Sequence, residues 1–430
     1  MKRLIVLVGS WSVAMVVATG AQVRPVSRVA SAGIPAAVRG AADPALSAPF
    51  FDGSVMHEIR LDMNSRDWQT LRENYLSNAY YPADFHWGDQ VVRNIGIRSR
   101  GTASRSEVKP GLRVDFNRYA DDQTFLGLTS FVLRNNTTDR TNLHERISML
   151  MFERMGVPAP REAHTRLYVN GNYAGLYSIV ESIDKNFLAR TRGENDGYLY
   201  KFDRNVGDDP YYVTYGGPNA DLYVPHPFKP ETHELDPHPQ PLVDMIRTVA
   251  EASDATFRDA LSQYLDLGAF VKHVAIEMFL NEKDGVLGDY GTTNFYLYRP
   301  ANSNLHILIP WDKSETMHDR TLSIFHNVDD VPEQVRNRIM DRAMKYSDLA
   351  NLYLDVLNAC ADSAAQPGEG DPRSWIVREI DRELNQITPA VLSDSQKPYS
   401  NDEFVQAVND LMKFAQDRPV FVKTAVANKR

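Results

Sequence analysis

Cysteine is almost absent from the sequence. Among 430 residues there is one, Cys360, so no disulfide can form within the chain. A chain of this length must then draw its stability from a buried core rather than from covalent cross-links. Cys360 lies in LYLDVLNACADSAAQ among apolar residues at helical spacing. This pattern predicts a small buried side chain rather than a nucleophile.

An excess of positive charge is also missing. The chain has 47 Lys and Arg residues against 56 Asp and Glu residues, a net charge of −9 and a pI near 5.7. Proteins that bind nucleic acids need a basic surface to neutralise phosphates. We therefore expect no nucleic-acid partner, and any anionic ligand must be held by a local basic cluster.

Long apolar runs are lacking after the first 21 residues. At the N-terminus, Lys2 and Arg3 precede LIVLVGSWSVAMVVATGA, which ends in small residues. This pattern predicts a secretory signal peptide over residues 1–21. An uncleaved membrane anchor is the alternative, because the run is close to long enough to span a bilayer. We expect export to the extracellular space, the periplasm or the cell surface, with no stable membrane span after cleavage.

The rest of the chain divides by composition and periodicity. Residues 22–50 are rich in Ala, Pro, Val and Arg without a regular period, which predicts a flexible leader. Residues 51–240 contain short strand patterns, one internal helix and a Pro- and His-rich connection, and residues 241–430 are mainly helical. The helical part is interrupted by TTNFYLYRP and LHILIP, which predict one hairpin. The predicted fold class is α+β, with a β-rich N-terminal half and a mainly helical C-terminal half.

Three oxygen-bearing side chains are predicted at one end of that hairpin. LHILIP ends in proline and tryptophan followed by Asp312, and the strand FYLY begins immediately after Asn294. The preceding loop, NEKDGVLGDYGTTN, contributes Asp284 and also carries Asp289. Two carboxylates and an amide suit Mg²⁺ and a phosphoryl acceptor, with one carboxylate free to orient a hydroxyl. Alone, Asp312 would instead be read as a turn cap or as a partner of Lys313.

A basic cluster lies in the N-terminal half, in IRSRGTASRSEVKPGLRVDF. Arg98 and Arg100 approach a strand end, a turn of small residues follows, and Lys109 precedes the next strand. Such a turn can lay backbone N–H groups over phosphates while the lysine pairs with them. Basic strand edges also prevent edge-to-edge pairing. Glu145, on the helix DRTNLHERISMLMFERMG, is either a partner for a strand lysine or a solvated helical glutamate.

Several blocks of the chain, in consistent order, resemble one known family. They are HEIRLDMNSRDWQTL, IGIRSRGTASRSEVKPGLRVDFNRY, LYVNGNYAGLYSIVESID, GYLYKF and NFYLYR…IPWD, and they cover roughly residues 55–320. Together they resemble the CotH (spore coat protein H) family of atypical protein kinases. The resemblance implies a divergent bilobal protein-kinase-like fold. It also implies transfer of the ATP γ-phosphoryl group to protein Ser or Thr, with Mg²⁺ or Mn²⁺ as the metal.

The resemblance also implies roles for individual residues. Lys109 would contact the nucleotide phosphates, with Glu145 as its helical partner. Asp284 would be the catalytic aspartate that orients the acceptor hydroxyl, and Asn294 and Asp312 would hold the metal. The remaining nucleotide-binding residues would be Arg98, Arg100 and, at the hinge beside adenine, Glu181 and Ile183.

Two departures from the family pattern leave alternatives open. Members often follow Trp-Asp with an apolar residue and a second Asp, whereas this chain has Ser314 there, so one or two metals remain open. The loop after Asp284 is long, and Asp289 is the alternative catalytic aspartate; Asp284 is preferred because it follows the helix end directly.

Two other functions stay open: a catalytically inactive structural or binding module of the cell envelope or surface, and transfer of another group such as AMP or glutamate.

Overall fold

The computed structural model describes residues 45–203, 214–289 and 291–430, all within one compact unit. The predicted signal peptide, and all but the last few residues of the predicted leader, lie outside the described residues. Within the described ranges the chain combines two β-sheets, a short β-ribbon and ten α-helices. The predicted α+β class is confirmed. No helix in these ranges is both long enough and apolar enough to cross a bilayer.

The N-terminal half contains a closed seven-stranded β-barrel, which the sequence did not predict. The strand order is β1-β2-β3-β4-β5-β7-β6, and parallel pairing of β1 with β6 closes the barrel. All other neighbouring strands in the barrel are antiparallel. The strands are β1 His57–Met63, β2 Tyr81–Trp87, β3 Gln90–Ser99, β4 Leu112–Asp115, β5 Ser130–Arg134, β6 Glu162–Val169 and β7 Asn172–Glu181.

Apolar side chains at alternate positions fill the barrel. In β1, Ile59 and Leu61 are buried while Glu58 is exposed, because successive side chains of a strand point to opposite faces. Aromatic rings pack edge-to-face in the centre, with the centroids of Phe85 and Phe125 4.9 Å apart. The outer face of the barrel is therefore the face left for other elements and for polar side chains.

The turn between β6 and β7 is a two-residue hairpin turn made by Asn170 and Gly171. Asn170 and Gly171 connect the paired residues Val169 and Asn172, and both turn residues have positive φ, 50° and 77°. A two-residue hairpin turn of this kind requires left-handed backbone at both positions, which Asn-Gly adopts at low cost.

A second antiparallel sheet packs against the barrel's outer face, in the order β11-β10-β8-β9. Val132 and Val180 of the barrel form one apolar cluster with Tyr296, Ile309 and Trp311 of this sheet and its margin. The predicted hairpin is confirmed as β10 and β11. The strands are β8 Tyr198–Phe202, β9 Phe228–Pro230, β10 Phe295–Arg299 and β11 Ile307–Pro310.

The largest apolar core lies among the helices. Most of the residues of helix α6 (Leu267–Leu280) are buried there, and Cys360 of helix α8 (Ser347–Ala365) is fully buried, as predicted. A short β-ribbon, β12 Pro367–Gly368 with β13 Asp371–Ser374, precedes α9. The helices are α1 Ser65–Glu73, α2 His144–Arg154, α3 Lys185–Arg192, α4 Gln240–Glu251, α5 Phe257–Leu261, α6 Leu267–Leu280, α7 Arg338–Ala343, α8 Ser347–Ala365, α9 Trp375–Ser393 and α10 Asn401–Lys429.

The division into two kinase-like lobes is not confirmed. Helix α2, which follows β5 in the chain, packs into the helical core, with the rings of Phe152 and His273 5.0 Å apart. The boundary expected near residue 240 therefore stays a prediction. Two features position the candidate site: the contact between the barrel and the second sheet, and the packing of α2 beneath it.

Candidate functional site

The mouth of the β10–β11 hairpin brings together the three predicted oxygen-bearing residues. Because Phe295 pairs with Pro310, the residue before β10 and the residues after β11 lie at the same end of the hairpin. The Asn294 amide nitrogen donates to Asp284 Oδ2 at 2.9 Å and to its carbonyl oxygen at 2.8 Å. The Asp312 carboxylate lies close enough to act on the ionisation of Asp284.

The two carboxylates have opposite pKa shifts. Burial and the neighbouring Asp312 carboxylate raise the pKa of Asp284. Burial also opposes the ionised form of Asp312, but the guanidinium groups of Arg134 and Arg100 outweigh it, so the pKa of Asp312 is lowered. When the pKa values of two neighbouring acids shift in opposite directions, the two acids can take different roles. Here Asp312 is the carboxylate that stays charged, and Asp284 is the one able to take up a proton.

Two of these residues occupy unusual backbone conformations. Asn294 has φ 58° and Asp312 has φ 50°, in the left-handed region that non-glycine residues seldom adopt. Asp312 follows the buried Trp311 and Asn294 precedes the buried Phe295, so the surrounding packing holds both in place. Such conformations cluster at functional sites, where they aim side chains that regular strands would point elsewhere.

The oxygen donors at the hairpin mouth are of the kind that a hard cation binds. Asp284, Asp312 and the amide oxygen of Asn294 offer three such donors, and Mg²⁺ is commonly bound through one or two carboxylates together with substrate phosphates. Across the described ranges, no three His, Cys, Asp or Glu side chains are grouped so that they could hold a metal. Mg²⁺ prefers six ligands in octahedral geometry, so these three donors alone would not complete its coordination.

Asp289, the alternative catalytic aspartate, has other contacts. Its Oδ1 lies 2.5 Å from His326 Nε2 and accepts a hydrogen bond from the Asn327 amide at 3.1 Å. These contacts attach the loop to the segment around residues 326–330. The hydrogen bond from Asn294 goes to Asp284 instead, which supports the preference for Asp284.

Arg134 is a site residue that the sequence reasoning missed. It ends β5, is buried, and places Nη1 2.5 Å from Asp312 Oδ1 while its Nε contacts the Glu145 carboxylate. Its guanidinium also lies 5.7 Å from the centre of the Trp311 ring. The sequence did contain a hint of this role. Arg134 is the last residue of a strand, and the next helix along the chain is the one that carries Glu145.

The predicted ion pair between Lys109 and Glu145 does not form. Lys109 lies before β4 rather than on it, and its Nζ is 2.7 Å from Asp394 Oδ2, with both side chains almost fully buried. Glu145 pairs with Arg134 instead. The physical reason is that the loop before β4 packs against the end of α9, so the nearest carboxylate to Lys109 comes from a part of the chain 285 residues away.

The two predicted arginines differ in their surroundings. Arg98 donates to the Tyr80 hydroxyl at 3.1 Å and to the Ser99 carbonyl at 3.0 Å. The Arg100 guanidinium lies 5.6 Å from the centre of the Trp311 ring and, within the described chain, forms no ion pair within 4.0 Å. Burial, reinforced by Arg134, lowers the pKa of Arg100 to about 10. Arg100 is thus a cation without a close counter-charge.

Lys201 adds a further positive charge that the sequence reasoning did not single out. It lies on β8 opposite Tyr296. Burial lowers its pKa, and Arg100 contributes in the same direction. Arg100, Arg134 and Lys201 thus form a basic cluster between the barrel and the second sheet.

The predicted hinge residues are both buried. The Glu181 carboxylate accepts hydrogen bonds from Arg161 at 2.7 Å and from Arg190 at 2.6 Å, which ties β7 to its neighbours. Ile183 belongs to the apolar cluster between the barrel and the second sheet, together with Trp311. Ile183 thus lies beside the basic cluster, whereas the Glu181 side chain is occupied by two arginines.

A second buried acid stands next to Glu145. Burial raises the pKa of Glu145 to about 7, against the effect of Arg134, and burial with the charge of Glu145 raises that of Glu162. In the part of the chain that the structure describes, Arg134 Nη2, Glu145 Oε1 and Glu162 Oε1 have no hydrogen-bond partner. A narrow pocket lined by polar side chains adjoins Arg134 and Glu145. The cluster therefore combines two acids of raised pKa with side-chain atoms whose hydrogen-bonding capacity is unused.

Comparison with known proteins agrees with the sequence resemblance. The model of the CotH kinase protein family matches residues 97–422, more than half of the chain. The inner spore coat protein H of Bacillus subtilis (strain 168) is 22% identical over 368 residues, covering 85% of this chain and 96% of that protein. The predicted family is confirmed: the chain belongs to the CotH kinase family.

Proposed function

We propose that this chain is an exported phosphotransferase that moves the γ-phosphoryl group of ATP to a Ser or Thr hydroxyl of an acceptor protein, with Mg²⁺ or Mn²⁺. Membership of the CotH kinase family supports kinase chemistry, and the N-terminal sequence pattern supports export. One observation carries the proposal: Asp312, held by Arg134, adjoins the hydrogen-bonded Asn294–Asp284 pair. Phosphoryl transfer depends on this kind of positioning and charge stabilisation.

In this proposal the nucleotide lies between the barrel's outer face and the second sheet, in a divergent form of the kinase cleft. Arg100 and Lys201 attract its phosphates, because burial and repulsion from neighbouring cations disfavour their charged forms until an anion is bound. Ile183 supplies apolar surface for the base. Arg134 takes the position that the sequence suggested for Lys109, since it pairs with the helical Glu145 and reaches Asp312.

Asp284 acts on the acceptor in the proposed reaction. It accepts a hydrogen bond from the Ser or Thr hydroxyl and takes the proton as that oxygen forms its bond to the γ-phosphorus. The bond from the γ-phosphorus to the bridging oxygen breaks, ADP leaves with its electron pair, and the proton passes from Asp284 to solvent. The raised pKa of Asp284 suits brief proton uptake. Mg²⁺, which Asn294 and Asp312 would hold, supplies neutralisation of phosphate charge.

The test is transfer of labelled γ-phosphate with Mg²⁺ or Mn²⁺ to acceptor protein and to the chain itself. We expect Asp284→Asn and Asp312→Asn to lower the rate by about 100-fold or more, the usual contribution of a positioned catalytic group. Asp289→Asn is the matched control and should keep most of the activity, because its carboxylate contacts His326.

Two outcomes would contradict the proposal. If Mg-ATP gives the wild-type chain neither label incorporation nor a thermal shift, the binding-module alternative is correct. If the intact mass of the acceptor increases by a group other than phosphoryl, the chain transfers another part of its donor.

A further inference from the structure

A buried ion pair packs against the loop that carries Asp284. The Lys313 ammonium is 2.7 Å from Glu277 Oε1, and the two side chains are 0% and 4% exposed. Lys313 directly follows Asp312 in the chain, and Glu277 lies near the end of α6. Burial opposes the charged form of Glu277, but Lys313 and His273 outweigh it and lower its pKa to about 2. Glu277 is therefore ionised beside the lysine in the folded protein.

Both partners of this pair also hydrogen-bond the backbone of the loop. The Lys313 ammonium donates to the carbonyl oxygen of Asn294 at 3.0 Å. The second carboxylate oxygen of Glu277, Oε2, accepts from the Val286 N–H at 2.9 Å. The ion pair thus holds the loop at two points, one just after Asp284 and the other at Asn294 itself.

The loop lies too close to the pair for a side chain at Gly285. A Cβ atom there would be 2.7 Å from Glu277 Oε2 and 2.6 Å from Glu282 Cγ. Both distances are shorter than the roughly 3.5–4.0 Å at which carbon atoms pack best. Glycine at this position lets the neighbouring Val286 N–H reach the Glu277 carboxylate, so the sequence of the loop is fitted to the buried pair.

Two consecutive residues after β11 attach the hairpin to different parts of the fold. Asp312 pairs with Arg134 of the barrel, whereas Lys313 pairs with Glu277 of α6. Because Lys313 also donates to Asn294, the residue before β10, it joins the two sides of the hairpin mouth. The placement of Asn294 relative to the Asp312 carboxylate therefore depends on the Lys313 contact.

Stability alone does not account for a buried pair at this place. Apolar residues of similar volume often replace such pairs without loss of stability, whereas removing one partner is strongly destabilising. An apolar residue at position 313 could not donate to the Asn294 carbonyl. Groups that orient metal ligands from the outer shell typically change metal affinity or activity by roughly 10–100-fold when they are removed.

We propose that Lys313 is a positioning residue, which together with Glu277 holds the loop so that the Asn294 amide and the Asp284 carboxylate stay in contact at the hairpin mouth. This inference rests on the proposed function, because it assigns the residue that orients a metal ligand of that reaction. Lys313 acts through Asn294 and exchanges no proton with the acceptor or the nucleotide.

The first test uses the metal-free chain and does not depend on catalysis. The double variant Lys313→Met with Glu277→Gln removes the ammonium and leaves no unpaired buried charge. Hydrogen–deuterium exchange followed by mass spectrometry should show peptides from residues 282–294 exchanging about tenfold faster than in wild type, because local opening governs exchange. Lys109→Met with Asp394→Asn is the matched control, since it makes the same chemical change in another buried pair; residues 282–294 should then exchange as in wild type.

A second variant disturbs the same contact without altering any charge. Gly285→Ala places a methyl group against Glu277 Oε2, so it should also speed exchange in peptides from residues 282–294. If circular dichroism shows that the double variant does not fold, Gly285→Ala decides the question. Wild-type exchange of the loop in the folded variants overturns the proposal.

Kinetic measurements separate positioning from a loss of folded protein. In the double variant we expect the Mg²⁺ concentration for half-maximal transfer to rise about 10- to 100-fold, with KM for the acceptor unchanged. A smaller folded fraction would lower kcat alone, so a wild-type Mg²⁺ dependence in the folded double variant overturns the proposal. If the wild type transfers no phosphoryl group but both variants speed exchange in the loop, the proposed function fails and the role of Lys313 in holding the loop stands.

Discussion

Replacing Lys109 with methionine decides whether this lysine binds nucleotide or holds the fold together. Its Nζ lies 2.7 Å from Asp394 Oδ2, and both side chains are 2% exposed. Methionine keeps most of the length of the side chain but removes the charge. The Asp394 carboxylate would then remain buried with backbone N–H groups of Leu176 and Gln396 as its partners. Removing one member of a buried ion pair costs about 3–5 kcal/mol, and we expect this loss in the free energy of unfolding.

Urea unfolding followed by tryptophan fluorescence measures the loss. The double variant Lys109→Met with Asp394→Asn should recover part of it, because a neutral amide removes the unpaired charge and still accepts a backbone hydrogen bond. Lys423→Met is the matched control. Lys423 pairs with Asp362 in an exposed position, where ion pairs contribute little, so its unfolding midpoint should not change.

The opposite result would refute this reasoning. If Lys109→Met unfolds at the wild-type urea concentration and still loses phosphoryl transfer, Lys109 is the nucleotide lysine that the family resemblance implied. The ion pair with Asp394 would then not represent the working state of the site.

Two further predictions concern the cluster around Arg134. Arg134→Met should lower the transfer rate by about 100-fold or more in protein that circular dichroism shows to be folded, because the positioned charge beside Asp312 is lost; Arg134→Lys should retain part of it, and full activity in Arg134→Met would contradict the assigned role. Glu145 has a folded-state pKa of about 7 against an ordinary value of 4.5, so its contribution to stability is present below the ordinary value and is lost as the pH rises through about 7. Glu145→Gln should therefore flatten the fall in unfolding free energy across that window, as urea midpoints at several pH values would show, and an unchanged slope would contradict the assignment.

The part of the site that the sequence predicted is local in the chain. Asn294 and Asp312 flank the two strands of one hairpin, and strand pairing alone brings them to the same end. Asp284 lies in the loop that leads into that hairpin. The two apolar strand patterns and their ends are visible in the sequence, so the β10–β11 hairpin was predicted correctly.

The partners of the buried cations could not be predicted in this way. Arg134 meets a carboxylate 178 residues further along, and Lys109 meets one 285 residues further along. Which carboxylate each cation reaches depends on how the barrel, the second sheet and α9 pack, and no local pattern encodes that. Barrel closure has the same origin, because β1 pairs with β6 across about a hundred residues of chain.

The proposed function requires an acidic chain to hold an anion, and the distribution of its charges shows how this can occur. The chain carries a net charge of −9, yet Arg100, Arg134 and Lys201 face one space between the barrel and the second sheet. Their mutual repulsion and burial lower the pKa of Arg100 and of Lys201, which means that the folded protein holds these charges at a cost. Asp312 pairs directly with Arg134 and also acts on Arg100 from a greater distance, while Asp203 and Glu231 offset part of the charge of Lys201. An anion entering this space would relieve the remaining repulsion, so the drive to bind phosphate arises within the site, where salt screens charges less than it does at the surface.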